Sequence, residues 1–200
     1  MTKTKITINV PTNWNDITIK KYQKFLKVSK KNDQIQMLSV LCNVHEKIIK
    51  GMKVKDRKMI IEKMNDFINK EPKQKLQNII NFKGKEYGFI PNLSKLTTGE
   101  FVDLETYFKN SNDNLHYIMS VLYRRVTKKQ GDFYKVESYT PTEEQAKLFL
   151  DLPMTVVLSA YNFFFCLGKD LLEVISNSLN HKTKKINNKK HYLTNTGGII

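Results

Sequence analysis

Two hundred residues suit one domain, or one domain with an appendage, and 40% hydrophobic content with 10% aromatic residues supplies a core, which excludes wholesale disorder. Thirty-four basic residues stand against 19 acidic ones, and the formal charge of +15 draws the chain to polyanions: nucleic acid, acidic proteins or anionic membrane. Arg57, Arg124 and Arg125 are the only arginines, so any nucleic-acid contact is expected at phosphate and blind to base sequence. AT-rich codons account for the lysine excess equally well.

The predicted elements begin at Lys5 to Val10, where Ile6, Ile8 and Val10 alternate as in a short edge strand closed by Pro11. The ten residues from Met1 carry no apolar run of the secretory kind. Trp14 lies in a turn, and an amphipathic helix is expected from Ile17 to Val28, capped by Asn15 or Asp16. Helices follow over Asp33 to Cys42, His45 to Lys50 and Lys55 to Asn69, the last stopped by Pro72. Residues 79–90 read as a β-hairpin with a glycine turn at Lys83-Gly84-Lys85, an excursion from the helical body. Thr97 and Glu100 form a capping box for a helix to about Lys109. Ser111 to Asn114 is expected to break it before a helix from Leu115 to Val126, with a short strand at Phe133 to Val136. Thr142 and Gln145 make a second capping box, for a helix ending at Leu150.

The most apolar stretch runs from Met154 to Leu167, after a first-turn proline at Pro153. Ser159 and Asn162 interrupt it and Gly168-Lys169-Asp170 ends it, short of the roughly 20 apolar residues a membrane span needs. A central buried helix is expected, with Val156, Val157, Tyr161, Phe164 and Phe165 near the middle of the fold. From His181 to Ile200 the chain holds five lysines and no acid, and reads as a basic, flexible tail. The fold class is therefore mainly α: a helical domain over residues 1–180 with a short β-hairpin near 79–90, and a basic C-terminal tail over 181–200.

Catalytic patterns are missing from the sequence. Gly84, Gly88 and Gly99 are scattered and no Gly-Lys-Ser/Thr follows them. Cys42 and His45 lie one helical turn apart, but no second pair accompanies them, so a structural role is preferred over zinc. Cys42 and Cys166 sit in apolar helical surroundings, where thiols behave as small hydrophobes, and two cysteines point to synthesis in a reducing cytoplasm. Asp103 with Glu105, and Glu143 with Glu144, are too close in sequence to face each other on a helix. No enzyme activity, cofactor or metal is expected. The candidate partner or polyanion contacts are Tyr123, Arg124 and Arg125, together with the tail lysines Lys182, Lys184, Lys185, Lys189 and Lys190. The arginine pair reads either as a clamp for phosphate or carboxylate, or as a solvated helix end where cations favour the dipole.

Four segments carry a resemblance: Trp14 to Leu26, Leu96 to Glu105, Val121 to Arg125, and Pro153 to Phe165. Together they resemble a virion or tail-region protein family of tailed bacteriophages, the crAss-like phages. In that family a proline often follows the arginine of the third segment; here Arg125 stands in its place, and no role is carried to it. The resemblance implies a non-enzymatic component of the virion, in the neck or tail, held in multiple copies among other virion proteins and delivered with the genome if internal. It would be found in the particle, and in the host cytoplasm during assembly. A tail assembly chaperone absent from the finished particle, and a non-specific nucleic-acid-binding protein making phosphate contacts to DNA, are the alternative expectations.

Overall fold

The computed structural model describes residues 7–69, 75–90 and 93–163. Its elements belong to one compact unit, Met1–Ala160. Past Ala160 only Tyr161, Asn162 and Phe163 are described, so Phe164, Phe165, Cys166 and the basic stretch 181–200 lie outside the described residues. Lys5 and Ile6 of the expected first strand also lie outside them, and residues 7–10 are irregular.

A 3-10 turn, Trp14–Asp16, opens the fold, closed reciprocally by Asn13 and Asp16. Helix α1, Ile19–Ser29, starts later than the apolar spacing suggests, because Asp16 is engaged in that turn and Thr18 accepts the Lys21 N–H instead. Ile17 and Ile19 flank the cap and are almost fully buried. The Met154 N–H donates to the Ile17 carbonyl at 2.8 Å, and the Ile19 N–H to that of Leu152 at 3.0 Å, with Thr18 and Pro153 forming a bridge. Two distant segments are joined through backbone.

Helix α2, Gln34–Cys42, begins at Asp33, whose carboxylate takes the N–H groups of Ile35 and Gln36. It ends in a left-handed Asn43. Helix α3, Glu46–Lys50, and helix α4, Val54–Ile68, fall where the spacing places them. Trp14 meets Phe67 of α4 edge-on at 5.5 Å and Tyr22 of α1 at 6.2 Å.

The middle of the chain departs from a helical body with a lone hairpin. Strands β1, Ile79–Phe82, and β2, Lys85–Phe89, do form the expected hairpin, with Lys83 and Gly84 both at positive φ as a tight two-residue turn requires. They are half of an antiparallel sheet completed by β3, Tyr123–Gln130, and β4, Phe133–Val136, in the order β1-β2-β3-β4. The fold is mainly α with a four-stranded antiparallel sheet. One sheet face puts Ile80, Tyr87, Phe89 and Tyr123 into the core. There Phe149 of α7, Glu143–Phe149, stacks on Phe82 at 6.1 Å and meets Tyr87 edge-on at 5.3 Å.

Helix α5, Thr98–Phe108, has the capping box read from Thr97 and Glu100. Helix α6, Ser111–Leu122, starts four residues before the expected point and stops four residues early, with Tyr123 already extended. At Thr142 only half of the expected box forms. Its hydroxyl accepts from the Gln145 N–H, while the Gln145 amide nitrogen is buried without a hydrogen-bond partner among the described residues. Val156 and Val157 are buried as expected, and Ala160 with them, whereas Tyr161, expected near the centre, is exposed.

Helices α1 and α6 meet at Gln23, whose amide donates to the Asp113 carbonyl at 2.7 Å and lies 3.3 Å from His116 Nδ1. Burial lowers the His116 pKa, so the folded protein keeps the ring neutral at a pH where the unfolded chain takes up a proton. The unfolded state then binds more protons, and stability is complete above the unfolded value of about 6.5 and declines as pH falls toward the folded value. Thermal melts between pH 7 and 5 should show Tm falling for the native chain, and a flatter dependence for His116→Gln. Parallel curves would mean that His116 does not carry the acid sensitivity.

Candidate partner-binding surface

Tyr123, Arg124 and Arg125 do not form one cluster. Because α6 passes into β3 without a loop, they lie on a strand, not at a helix end, and alternate between the sheet faces. Tyr123 is fully buried and its hydroxyl donates to the Gln77 carbonyl at 2.6 Å. Burial drives its pKa far above the ordinary phenol value. Arg124 is buried on the opposite face, with Nη1 2.7 Å from Oε1 of Glu100. The other oxygen of Glu100 accepts from the Thr97 N–H at 2.6 Å and hydroxyl at 2.8 Å. One carboxylate therefore caps α5 and neutralises Arg124 together. An interface clamp does not fit Tyr123 and Arg124, since both side chains are buried, the Tyr123 hydroxyl on Gln77 and Arg124 Nη1 on Glu100. Arg125 alone of the three is exposed, with its backbone N–H on the Glu137 carboxylate at 3.4 Å.

Beyond Arg125 the β3–β4 hairpin runs out past the core as a two-stranded ribbon, and nearly all of residues 127–135 are exposed. A register shift between Val126 and Lys128 marks a bulge. Gly131 turns the chain at φ +59°. The ribbon has two unlike faces. Tyr134 folds back across Gly88 and donates to the Phe89 carbonyl at 2.7 Å, and Lys129 pairs with Glu86 at 3.0 Å, which ties that face to β2. The other face carries Lys128 directly opposite Lys135, and Gln130 opposite Phe133. Phe133 is 85% exposed, and neither Lys128 nor Lys135 has a carboxylate partner among the described residues.

Sequence reasoning passed over Lys128, Phe133 and Lys135. The signal that marks them is Gln130-Gly131-Asp132-Phe133, a glycine turn between stretches that alternate. The tail lysines Lys182, Lys184, Lys185, Lys189 and Lys190 lie outside the described residues.

The remaining candidates for chemistry have structural partners. His45 caps α3, its Nδ1 accepting from the Lys47 N–H at 3.1 Å, and Cys42 is a buried thiol whose pKa burial raises. Among the described residues no three His, Cys, Asp or Glu side chains gather as metal ligands would. Asp103 accepts from the Tyr139 hydroxyl at 2.6 Å, while Glu105 pairs with Lys109 and Glu143 with Lys147. No helix among the described residues is long and apolar enough to cross a membrane. No protein-family model, curated protein or solved structure matches this chain.

Proposed function

We propose that the chain works by binding other macromolecules, without chemistry of its own, as a component of a tailed-phage particle in the neck or tail region. The observation that carries the binding role is the projecting ribbon, where Arg125, Lys128 and Lys135 face outward beside an exposed Phe133. Like charges left opposed across a ribbon are unfavourable alone and are relieved by an anionic partner, which supports this reading. The phage assignment rests on the four resembling segments, and their placement supports reading them together. The first and fourth are joined by the Ile17–Met154 and Ile19–Leu152 hydrogen bonds, and the second and third by the Glu100–Arg124 ion pair. Two of the fold's long-range contacts therefore fall between these segments.

A cleft of about 350 Å³ between α1, α2 and α4, lined by Phe25, Met37, Leu41, Ile61 and Met64, favours a second reading as a tail assembly chaperone. Methionine-lined apolar grooves adapt to helices of varied sequence. Quantitative mass spectrometry of gradient-purified particles separates the two. A fixed, modest copy number relative to the major capsid protein is expected for the virion component. Abundance in the infected-cell lysate with absence from particles would move the assignment to the chaperone, and absence from both would sink the phage assignment.

A further inference from the structure

We propose that the outward face of the β3–β4 ribbon is a binding site for single-stranded nucleic acid, with Lys128 and Lys135 taking backbone phosphate and Phe133 stacking on a base. The case begins with charge. Lys128 and Lys135 are cross-strand partners, which places their Cβ atoms about 4.5–5.5 Å apart, and like charges directly opposite destabilise a ribbon. No carboxylate among the described residues relieves them, although Lys129, one residue along, has Glu86. An anion held between the two ammonium groups would supply the missing counter-charge. Residues 125–136 hold Arg125, Lys128, Lys129 and Lys135 against Asp132 alone, so the whole ribbon is cationic.

Phe133 decides the kind of polyanion. At 85% exposure it is the most exposed of the large hydrophobic side chains described, and strand alternation puts it on the same face as the lysine pair. An acidic protein would answer the lysines, but only where it also carried an aromatic ring would it answer Phe133. A nucleic-acid strand offers both, a phosphate chain and a base face, and the combination of a basic track with an aromatic platform is how sequence-tolerant strand binding works. The bases must be open to reach the ring, which selects a single strand over a duplex. Lysine in place of arginine fits contact with phosphate and not with base edges.

The opposite face fixes the shape of the ribbon. Tyr134 over Gly88, its hydroxyl on the Phe89 carbonyl, and Lys129 on Glu86 anchor it to β2. The site is thus presented on a pre-formed element, and little ordering is required on binding.

Strand binding and membership of a particle are separate properties, and either can fail alone. The experiment is fluorescence anisotropy with the full chain and a labelled oligodeoxythymidylate, a duplex of equal length and polyglutamate, each over a range of salt. The formal charge of +15 attracts all three, so the deciding comparison is between variants of equal charge. Phe133→Ala should weaken oligodeoxythymidylate binding by about tenfold without changing its salt slope. Lys128→Gln/Lys135→Gln should reduce that slope by about 0.7 for each phosphate no longer neutralised, whereas Lys55→Gln/Lys58→Gln, two exposed positions on α4, should not. All the substituted side chains are exposed, and circular dichroism verifies the fold. Equal behaviour of the two double variants with no effect at Phe133 would overturn the site in favour of a diffuse field. Tighter binding of the duplex through the same lysines, or of polyglutamate, would overturn the single-strand partner.

Discussion

Glu100→Ala should cost about 3–5 kcal/mol of folding stability, the size of effect expected when one member of a buried ion pair is deleted and its partner left behind. The side chains of Glu100 and Arg124 are only 3% and 10% exposed, so water cannot replace the missing carboxylate at the guanidinium. The same substitution strips α5 of its reciprocal cap, since both the Thr97 N–H and hydroxyl donate to Glu100. A domain typically has about 5–15 kcal/mol in total, so the effect should be plain as a shift of the urea midpoint. If that midpoint stays put, the pair is not closed in solution.

The pair itself need not be a net source of stability. Arg124 Nε is buried with no hydrogen-bond partner among the described residues, so part of the desolvation cost of the guanidinium goes unrecovered. Arg124→Met removes that donor, and Glu100→Gln keeps an oxygen for the Thr97 groups. The double variant should therefore cost about 1 kcal/mol or less, well below the sum of the two single effects, as buried pairs exchanged for apolar or neutral groups often do. A double-mutant cycle reads the coupling directly. Additive singles would show that Glu100 acts through the cap alone.

The helices with strong apolar spacing and a visible cap were legible in the sequence, as was the first hairpin with its glycine turn; the second, at Gly131, was not, because its first strand continues a helical apolar period. Asp33 before α2 and Thr97 with Glu100 before α5 are where the side-chain chemistry places them. The α6–β3 junction was not legible, for a physical reason. Leu115, Ile118, Met119 and Leu122 keep helical spacing, and Val126 falls four residues after Leu122, so the period continues across the boundary with no Gly, Pro or Asn to end it. The strand is set by tertiary pairing, Tyr123 with Phe89 and Arg125 with Tyr87. Everything about the candidate site hangs on that boundary. A helix through Val126 would set Arg124 and Arg125 side by side on one solvated end. A strand sends one inward to Glu100 and the other outward, and carries the basic run on to the ribbon. Likewise Thr18 displaced Asn15 and Asp16 as the cap of α1 because Asp16 serves the preceding turn, a competition between neighbours that spacing alone does not resolve.

Gly88→Ala should destabilise the sheet by about 2–4 kcal/mol, combining overpacking with the loss of a hydrogen bond. The backbone there is ordinary; the space is not. A Cβ at position 88 would lie 2.5 and 2.8 Å from two ring carbons of Tyr134 and 2.9 Å from Cγ1 of Val136. The Tyr134 ring must leave, and with it goes the 2.7 Å bond from its hydroxyl to the Phe89 carbonyl, which anchors the ribbon to β2. Gly88 pairs with Arg124 across the sheet, so the disturbance also reaches the strand that carries the buried ion pair. Two comparisons separate overpacking from a general weakening of β2. Tyr134→Phe removes only the hydroxyl and should cost about 0.5–1.5 kcal/mol. Tyr134→Ala removes the two shorter of the contacts a Cβ at position 88 would make and leaves only the one with Val136, so Gly88→Ala should cost less in that background than in the native one. Should the penalty be equal in both backgrounds, the ring is not what excludes a side chain at position 88, and the ribbon is held to the sheet by other contacts.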